Sequence, residues 1–238
     1  MNKETRSLEF EIRAEETEKE GRRGRITGTP IVFEQETDLG FYRETISREA
    51  LDHTDLRDVR FLVGHNTGMI PLARSRNNNE NSTMQLTVTD RGMEIRVDLD
   101  IDNNPEAKAL YSAVQRGDIS GMSFMFTVDK ESWSDIDTDS PKRTITGIQR
   151  VFEVSAVAFP AYEGTDIQAA SEGDTLESVR ASLESARKQA AEERAAAQAA
   201  EEAEEARKAE EERRTAVFEW LEKYLGPEGS GEEGKSDV

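Results

Sequence analysis

Two short motifs carry the side chains that hydrolysis by a serine nucleophile requires. His65 follows the apolar run Arg60-Phe-Leu-Val-Gly, at a strand exit where a side chain can project into a cleft. Ser123 lies in Gly121-Met-Ser-Phe-Met-Phe, at the head of another apolar strand. A hydroxyl beside an imidazole base is the start of a catalytic triad, so Ser123 and His65 are candidates for the nucleophile and the base of such a reaction.

Each motif also has an ordinary structural interpretation. A lone histidine at a strand end is more often a satisfied structural residue. A serine in an apolar strand is often buried, with its hydroxyl bonded to the backbone. The second histidine of the chain, His53, lies in a polar segment that favours a helix or a turn. These alternatives stay open from the two motifs alone.

A triad needs a third group to hold the tautomer of the base, and Glu153 is a candidate for it. Glu153 interrupts the apolar strand Val151-Phe-Glu-Val-Ser-Ala-Val, where a carboxylate is costly unless it is paired. An imidazole N–H would satisfy it, whereas an edge-strand glutamate could simply face water. Asp118 and Asp100 are further candidates. The oxyanion donors are backbone N–H groups, which leave no mark in a sequence.

The elements around these residues are mostly strands of period two. Asn104 can cap a helix that starts at Pro105 and stops at Gly117, and a shorter helix is predicted around Arg48–Leu51. The polar segment Asp129–Arg143 indicates a surface loop. The predicted strands are Leu8–Ile12, Ile26–Phe33, Val59–Val63, Met84–Val88, Met93–Ile101, Met122–Val128 and Thr144–Phe159. Many short strands with few helices predict an α+β fold that is mainly β, as a barrel or sandwich with peripheral helices.

Composition limits the classes of partner and cofactor. The formal net charge of −19 argues against nucleic acid or an anionic membrane as a partner. The absence of cysteine excludes disulfides, thiolate zinc sites and cysteine nucleophiles, and two histidines make a His-rich metal site improbable. We therefore expect no metal and no cofactor. Without a long apolar run or a signal-peptide core, the chain is expected in the cytoplasm or in an intracellular assembly.

A change in composition divides the chain. Residues 1–170 hold most of the β-branched and aromatic residues and predict one globular domain. Residues 171–225 are rich in Ala and Glu and predict a long charged helix, followed by a disordered end at 226–238. A heptad step begins at Leu176 but lasts only two heptads, which indicates at most weak self-association. The apolar cluster Val217–Leu225 has the pattern of a docking helix or of a helix-end contact.

Taken in chain order, the motifs of residues 1–170 resemble those of the prohead proteases of tailed bacteriophages, the serine peptidases that mature a capsid. The resemblance covers about residues 7–168. The segments that carry it are Gly28-Thr-Pro-Ile-Val-Phe, Tyr42-Arg-Glu-Thr-Ile-Ser-Arg-Glu-Ala-Leu, Phe61-Leu-Val-Gly-His-Asn, Gly92-Met-Glu-Ile, Gly117–Phe126 and Phe152-Glu-Val-Ser-Ala-Val-Ala-Phe-Pro-Ala-Tyr.

The resemblance implies a β-barrel similar to that of the herpesvirus capsid proteases, with Ser123 as nucleophile and His65 as general base. The herpesvirus enzymes use a second histidine as the third member, and this chain departs from that pattern unless His53 serves. The phage motif offers Glu153 instead.

By the same resemblance, the enzyme acts inside the assembling procapsid in the host cytoplasm. It would cut the major capsid protein or the scaffold there, and itself, with no cofactor. The tail after residue 171 would act as a scaffold-like or targeting element. The rival hypothesis is a non-catalytic scaffolding or capsid-associated protein.

Overall fold

The computed structural model describes residues 3–8, 12–15, 24–158 and 172–226. In these residues the fold is mixed α+β and mostly sheet. The strands are β1 Lys3–Leu8, β2 Arg13–Glu15, β3 Gly24–Val32, β4 Thr37–Asp38, β5 Arg43–Ile46, β6 Arg60–Val63, β7 Ala73–Arg74, β8 Met84–Thr89, β9 Gly92–Leu99, β10 Gly121–Ser134 and β11 Lys142–Val157. The helices are α1 Pro105–Arg116 and α2 Glu172–Leu225, with single-turn 3₁₀ helices at Arg48–Leu51 and Arg76–Asn78.

Local sequence explains several of these elements. The apolar residues of β9 alternate and are all buried, as period two requires: Met93, Ile95, Val97 and Leu99. Helix α1 confirms the predicted caps, because the Asn104 side chain accepts from two N–H groups of the first turn and Gly117 is left-handed at φ 77°. The predicted strand 8–12 includes residues 9–11, which lie outside the described residues, as does Phe159.

The described strands form two open sheets. The seven-stranded sheet has the order β1-β10-β11-β5-β4, and β6 pairs with both β11 and β7. The four-stranded sheet has the order β2-β3-β9-β8. No ring of strands closes within the described residues, so these strands do not form the barrel that was predicted. Strand alternation determines which side chains face the core, but it carries no information on which edges meet.

The long β10–β11 hairpin corrects the prediction of a surface loop at Asp129–Arg143. Strand β10 continues to Ser134 and β11 begins at Lys142, so only residues 135–141 connect them. Two of the inward side chains of this stretch, Glu131 and Arg143, are charged, which hides the period of two from a hydropathy pattern. Trp133 Nε1 donates to Ser182 Oγ of α2 (2.9 Å), and Arg143 bonds to Glu131.

The chain divides into two compact units, Met1–Ala186 and Arg187–Val238. The first unit includes the beginning of α2, where Val179 and Leu183 are buried. In the second, residues 191–224 are all exposed. The domain boundary at residue 170 stays a prediction, as does the disordered end, of which residues 227–238 lie outside the described residues.

A cluster of charges, four of them buried and Glu131 partly buried, ties strands of the larger sheet together. We call it the charge cluster; it consists of Glu4, Arg6, Glu44, Glu131 and Arg143. Arg6 donates to Glu44 Oε1 (2.5 Å) and Glu4 Oε2 (2.6 Å), and Arg143 donates to Glu4 Oε2 (2.7 Å) and Glu44 Oε2 (2.9 Å). The residues come from β1, β5, β10 and β11, so one network joins four strands.

We predict that Arg143→Met lowers the free energy of unfolding by about 3–5 kcal/mol, because removing one partner leaves buried carboxylates uncompensated. Guanidinium chloride unfolding of the full chain measures the loss. Arg150→Met is a matched control on the same strand: its side chain is 39% exposed and lies 3.8 Å from Asp55. That pair should contribute at most about 1 kcal/mol. Equal losses in the two variants would contradict a stabilising role for the cluster.

The cluster also makes part of the stability depend on pH. Burial alone would raise the pKa of Glu4, but hydrogen bonds and charges from Arg143 and Arg6 outweigh it and hold this pKa below the usual glutamate value. The carboxylate therefore stabilises the fold above the unfolded pKa, and this stabilisation is lost as the pH falls through the lower folded pKa. Arg143→Met should show a smaller acid-dependent loss of stability than the wild type.

Candidate active site

His65 lies in a left-handed turn that directly follows β6. Gly64 and His65 both have φ 57°, and this conformation costs a non-glycine residue about 1–2 kcal/mol. Two hydrogen bonds to β11 hold the turn: Gly64 N–H donates to Ala156 O (3.0 Å) and His65 N–H to Ser155 Oγ (3.1 Å). The turn therefore directs the imidazole back over β11 instead of along the line of β6.

The imidazole of His65 is paired with the carboxylate of Glu153. Nδ1 lies 2.7 Å from Glu153 Oε1, and the glutamate is 2% exposed. An ionised carboxylate can only accept, so Nδ1 carries the hydrogen and the neutral ring keeps its lone pair on Nε2. This is the tautomer that a general base requires. The water-facing position considered for Glu153 is not what the structure shows.

The second nitrogen of the ring is enclosed. His65 Nε2 is buried and makes no hydrogen bond within the described part of the chain. The imidazole as a whole is 14% exposed. A base atom in this state can accept a proton from a hydroxyl that reaches it, because no other donor in the described residues competes for the lone pair.

Ser123 lies on β10, the strand that pairs with the Glu153-bearing strand β11. In β10 it stands opposite Ser155 of β11, and directly opposed residues of antiparallel strands share a face of the sheet. Ser155 and Glu153 are two apart on β11, so Ser123 faces the same side as both. The register thus brings the predicted nucleophile to the face that carries the Glu153–His65 pair.

The hydroxyl of Ser123 has a different acceptor in this structure. Ser123 is fully buried, and its Oγ donates to the backbone carbonyl of Arg6 on β1 at 2.8 Å. This is the geometry of the alternative considered above, a buried serine bonded to backbone. The nucleophile–base hydrogen bond is therefore not formed here, although such bonds are often long or absent until a substrate is bound.

The other candidates lie elsewhere. Asp118 pairs with Arg116 (2.6 Å) and is 57% exposed, and Asp100 bonds to the neighbouring Asn103. His53 is exposed, in a turn after the first 3₁₀ helix. Nδ1 of His65 is paired with Glu153 in this structure, not with His53.

Ser155 is the residue that the sequence analysis did not single out. Its Oγ donates to Glu153 Oε2 at 2.5 Å and accepts from His65 N–H. Period two places residues 153 and 155 on one face of the strand, but it does not indicate that Ser155 also contacts the main chain of residue 65.

The residues that the structure describes contain no group of three or more His, Asp or Glu side chains able to hold a metal ion. None of their helices is both long and apolar enough to cross a membrane.

The chain is similar to known proteins. The prohead protease of Enterobacteria phage HK97 is 29% identical to this chain over 124 residues, which are 52% of this chain. The chain spans about half (50%) of the length of that relative. The solved structure of the bacteriophage T4 capsid assembly protease is similar over 66% of this chain and 99% of its own, at 12% identity and a TM-score of 0.32. The sequence model of the caudovirus prohead serine protease family matches residues 8–179. The chain therefore belongs to the caudovirus prohead serine protease family.

Proposed function

We propose that this chain is a serine endopeptidase that cleaves the major capsid protein or the scaffold, and itself, while a phage prohead matures. The observation that carries the proposal is the Glu153–His65 pair, with Ser123 on the same face of the adjacent strand. Family membership supports the same activity. The finer likeness to the herpesvirus capsid proteases, and action inside the assembling prohead in the host cell, are parts of this proposal.

In the proposed mechanism each of the three side chains has its own role. Ser123 Oγ attacks the scissile carbonyl carbon while His65 Nε2 takes the hydroxyl proton. Glu153 stays ionised and stabilises the imidazolium through the Nδ1–H hydrogen bond. His65 then gives the proton to the leaving amine, and water hydrolyses the acyl-enzyme by the same route. For the first step, the Ser123 hydroxyl must turn from the Arg6 carbonyl to Nε2, because one hydrogen cannot serve both acceptors.

Self-cleavage during overexpression tests the activity directly. Full-length chain should yield shorter fragments of itself, and capsid protein of the same phage should be cut when the two are co-expressed. Fragments that also form from a Ser123→Ala chain would come from host proteases and would not support the proposal.

A non-catalytic assembly role is the second candidate, and one observation favours it: the Ser123 hydroxyl is bonded to a carbonyl and not to His65. In that case the domain would bind capsid protein without cutting it. Proheads assembled with the chain would then contain only uncut capsid protein, whatever residue occupies position 123.

The second compact unit carries an exposed apolar surface that could bring the protease into the prohead. We call it the aromatic patch; it consists of Val217, Phe218, Trp220, Leu221 and Tyr224, whose exposed fractions run from 40% to 62%. Large apolar side chains exposed together indicate a contact with another molecule. We propose that the patch binds the interior of the shell, or a second copy of the chain, so that the protease is captured as the shell closes.

A chain that ends at Ala186 should therefore keep its peptidase activity and be absent from proheads. Truncation after Ala186 leaves the first compact unit whole, and the shortened chain keeps Val179 and Leu183, which are buried. Cleavage of capsid protein in solution and quantification of the protease in purified proheads measure the two effects. Proheads that hold the shortened chain at the full-length amount would overturn the delivery role.

A chain that ends at residue 170 is the companion to this experiment. It lacks the buried side chains of Val179 and Leu183, each worth about 1.5–3 kcal/mol when fully buried. It should unfold at a lower temperature than the 1–186 chain. Equal melting temperatures would place the end of the domain at 170, as the composition predicts.

A further inference from the structure

Ser155 closes a ring of hydrogen bonds around the candidate base. Its Oγ accepts from the backbone N–H of His65 (3.1 Å) and donates to Glu153 Oε2 (2.5 Å), while Glu153 Oε1 lies 2.7 Å from His65 Nδ1. Ser155 itself is fully buried in β11. One hydroxyl therefore connects the main chain of His65 to the carboxylate that holds its ring.

We propose that Ser155 is a positioning residue for the general base, an inference that rests on the proposed peptidase function. A glutamate carboxylate rotates freely about its last torsion unless its oxygens are held. By donating to Oε2, Ser155 leaves Oε1 aimed at Nδ1. By accepting from His65 N–H, the same oxygen satisfies a backbone donor in the left-handed turn. The ring of His65 is then held by Glu153 directly, and its backbone N–H is linked to the same carboxylate through Ser155.

The same bonds argue against Ser155 as the nucleophile. Its only hydroxyl hydrogen is given to Glu153 Oε2, and the ring nitrogen bound to Glu153 is a donor, not a base. Ser155 therefore acts through His65 and Glu153 and does not attack the substrate. Ser155→Ala removes this one oxygen and nothing else.

A fluorophosphonate probe measures the effect without knowledge of the cleavage site. The Oγ–P bond to Ser123 forms as the P–F bond breaks, fluoride leaves, and His65 Nε2 takes the hydroxyl proton. In the full-length Ser155→Ala chain we expect the maximal labelling rate to fall about 10–100-fold, because a misplaced base slows the reaction. The half-saturating probe concentration should change less than about threefold.

Ser75→Ala is the matched control. Ser75 is also fully buried, and its Oγ also accepts a backbone N–H, that of Val59 at 2.9 Å, at the opposite end of β6 from His65. It should lose stability as Ser155→Ala does and keep the wild-type labelling rate. Equal loss of rate in both variants would show a general effect of packing and overturn the positioning role.

A double-mutant cycle and a spectroscopic signal separate positioning from structure. In a Glu153→Ala background, Ser155→Ala should slow labelling by less than about threefold, because the group it orients is gone. A full-sized effect in that background contradicts the proposal. The downfield proton resonance of His65 Nδ1–H should broaden or move in Ser155→Ala and stay in Ser75→Ala; with two histidines in the chain, His53→Ala assigns it.

The outcomes also separate this inference from the proposed function. If Ser123→Ala is inert and Ser155→Ala reacts at the wild-type rate, the positioning role is wrong and the peptidase assignment stands. If Ser155→Ala is inert and Ser123→Ala still reacts, the nucleophile is Ser155. The positioning role of Ser155 and the assignment of Ser123 as nucleophile then both fail. A wild-type chain that neither reacts with the probe nor cuts capsid protein refutes the proposed function itself.

Discussion

Ser123→Ala should abolish cleavage of the chain itself and of capsid protein, with a loss of at least about 10³-fold in rate. Without the hydroxyl no acyl-enzyme can form, and the Glu153–His65 pair has no nucleophile to activate. Gel analysis of co-expressed capsid protein and mass spectrometry of the purified chain provide the measurement. A Ser123→Ala chain that still cleaves at the wild-type rate would place the nucleophile elsewhere.

The fold of this variant should survive. The substitution removes the hydrogen bond from Ser123 Oγ to the Arg6 carbonyl, and loss of such a bond lowers stability by about 1 kcal/mol. Ser75→Ala removes an equally buried hydroxyl at another place in the core and should remain active. The pair separates loss of chemistry from loss of fold, because only one of the two hydroxyls lies on the face with His65.

Elements specified by local sequence were predictable. Helix α1 begins after the Asn104 cap and ends at the left-handed Gly117, and both signals act within one turn of the chain. The alternation in β9 identifies its buried face in the same local way. Such patterns need no knowledge of distant partners.

The pairing of Glu153 with His65 could be reasoned from the cost of burying a charge. A carboxylate in an apolar strand needs a donor, and the chain has only two histidines. The role of each group in catalysis stays a prediction. Ser155 required the structure, because a serine beside a glutamate on a strand gives no sign that it reaches back to the main chain of residue 65.

The charge cluster and the sheet connections could not be predicted. Glu131 and Arg143 occur in a polar stretch typical of loops, yet Arg143 is buried between carboxylates of β1 and β5. These two carboxylates, Glu4 and Glu44, lie 139 and 99 residues away from Arg143, at separations that no periodic pattern reports. For the same reason the alternation of the strands did not reveal that the described sheets stay open.

The second large effect concerns the base. His65→Ala should remove cleavage to nearly the extent of Ser123→Ala, because nucleophile and base act as one unit. His53→Ala should retain most of the activity: His53 is exposed, and the orienting position on Nδ1 of His65 is held by Glu153. The rate of capsid-protein cleavage is measured side by side for the two variants, so that each histidine is the control for the other.

Added imidazole sharpens this comparison. Removing the His65 ring leaves a space beside Glu153, and a free imidazole bound there can donate to Oε1 and present its second nitrogen to Ser123. We expect it to restore part of the activity of His65→Ala and none of that of Ser123→Ala, since only the first variant retains a nucleophile. Equal loss in His65→Ala and His53→Ala would instead favour a Ser–His–His arrangement. Glu153 would then hold the His65 ring and Ser155 without taking part in the reaction.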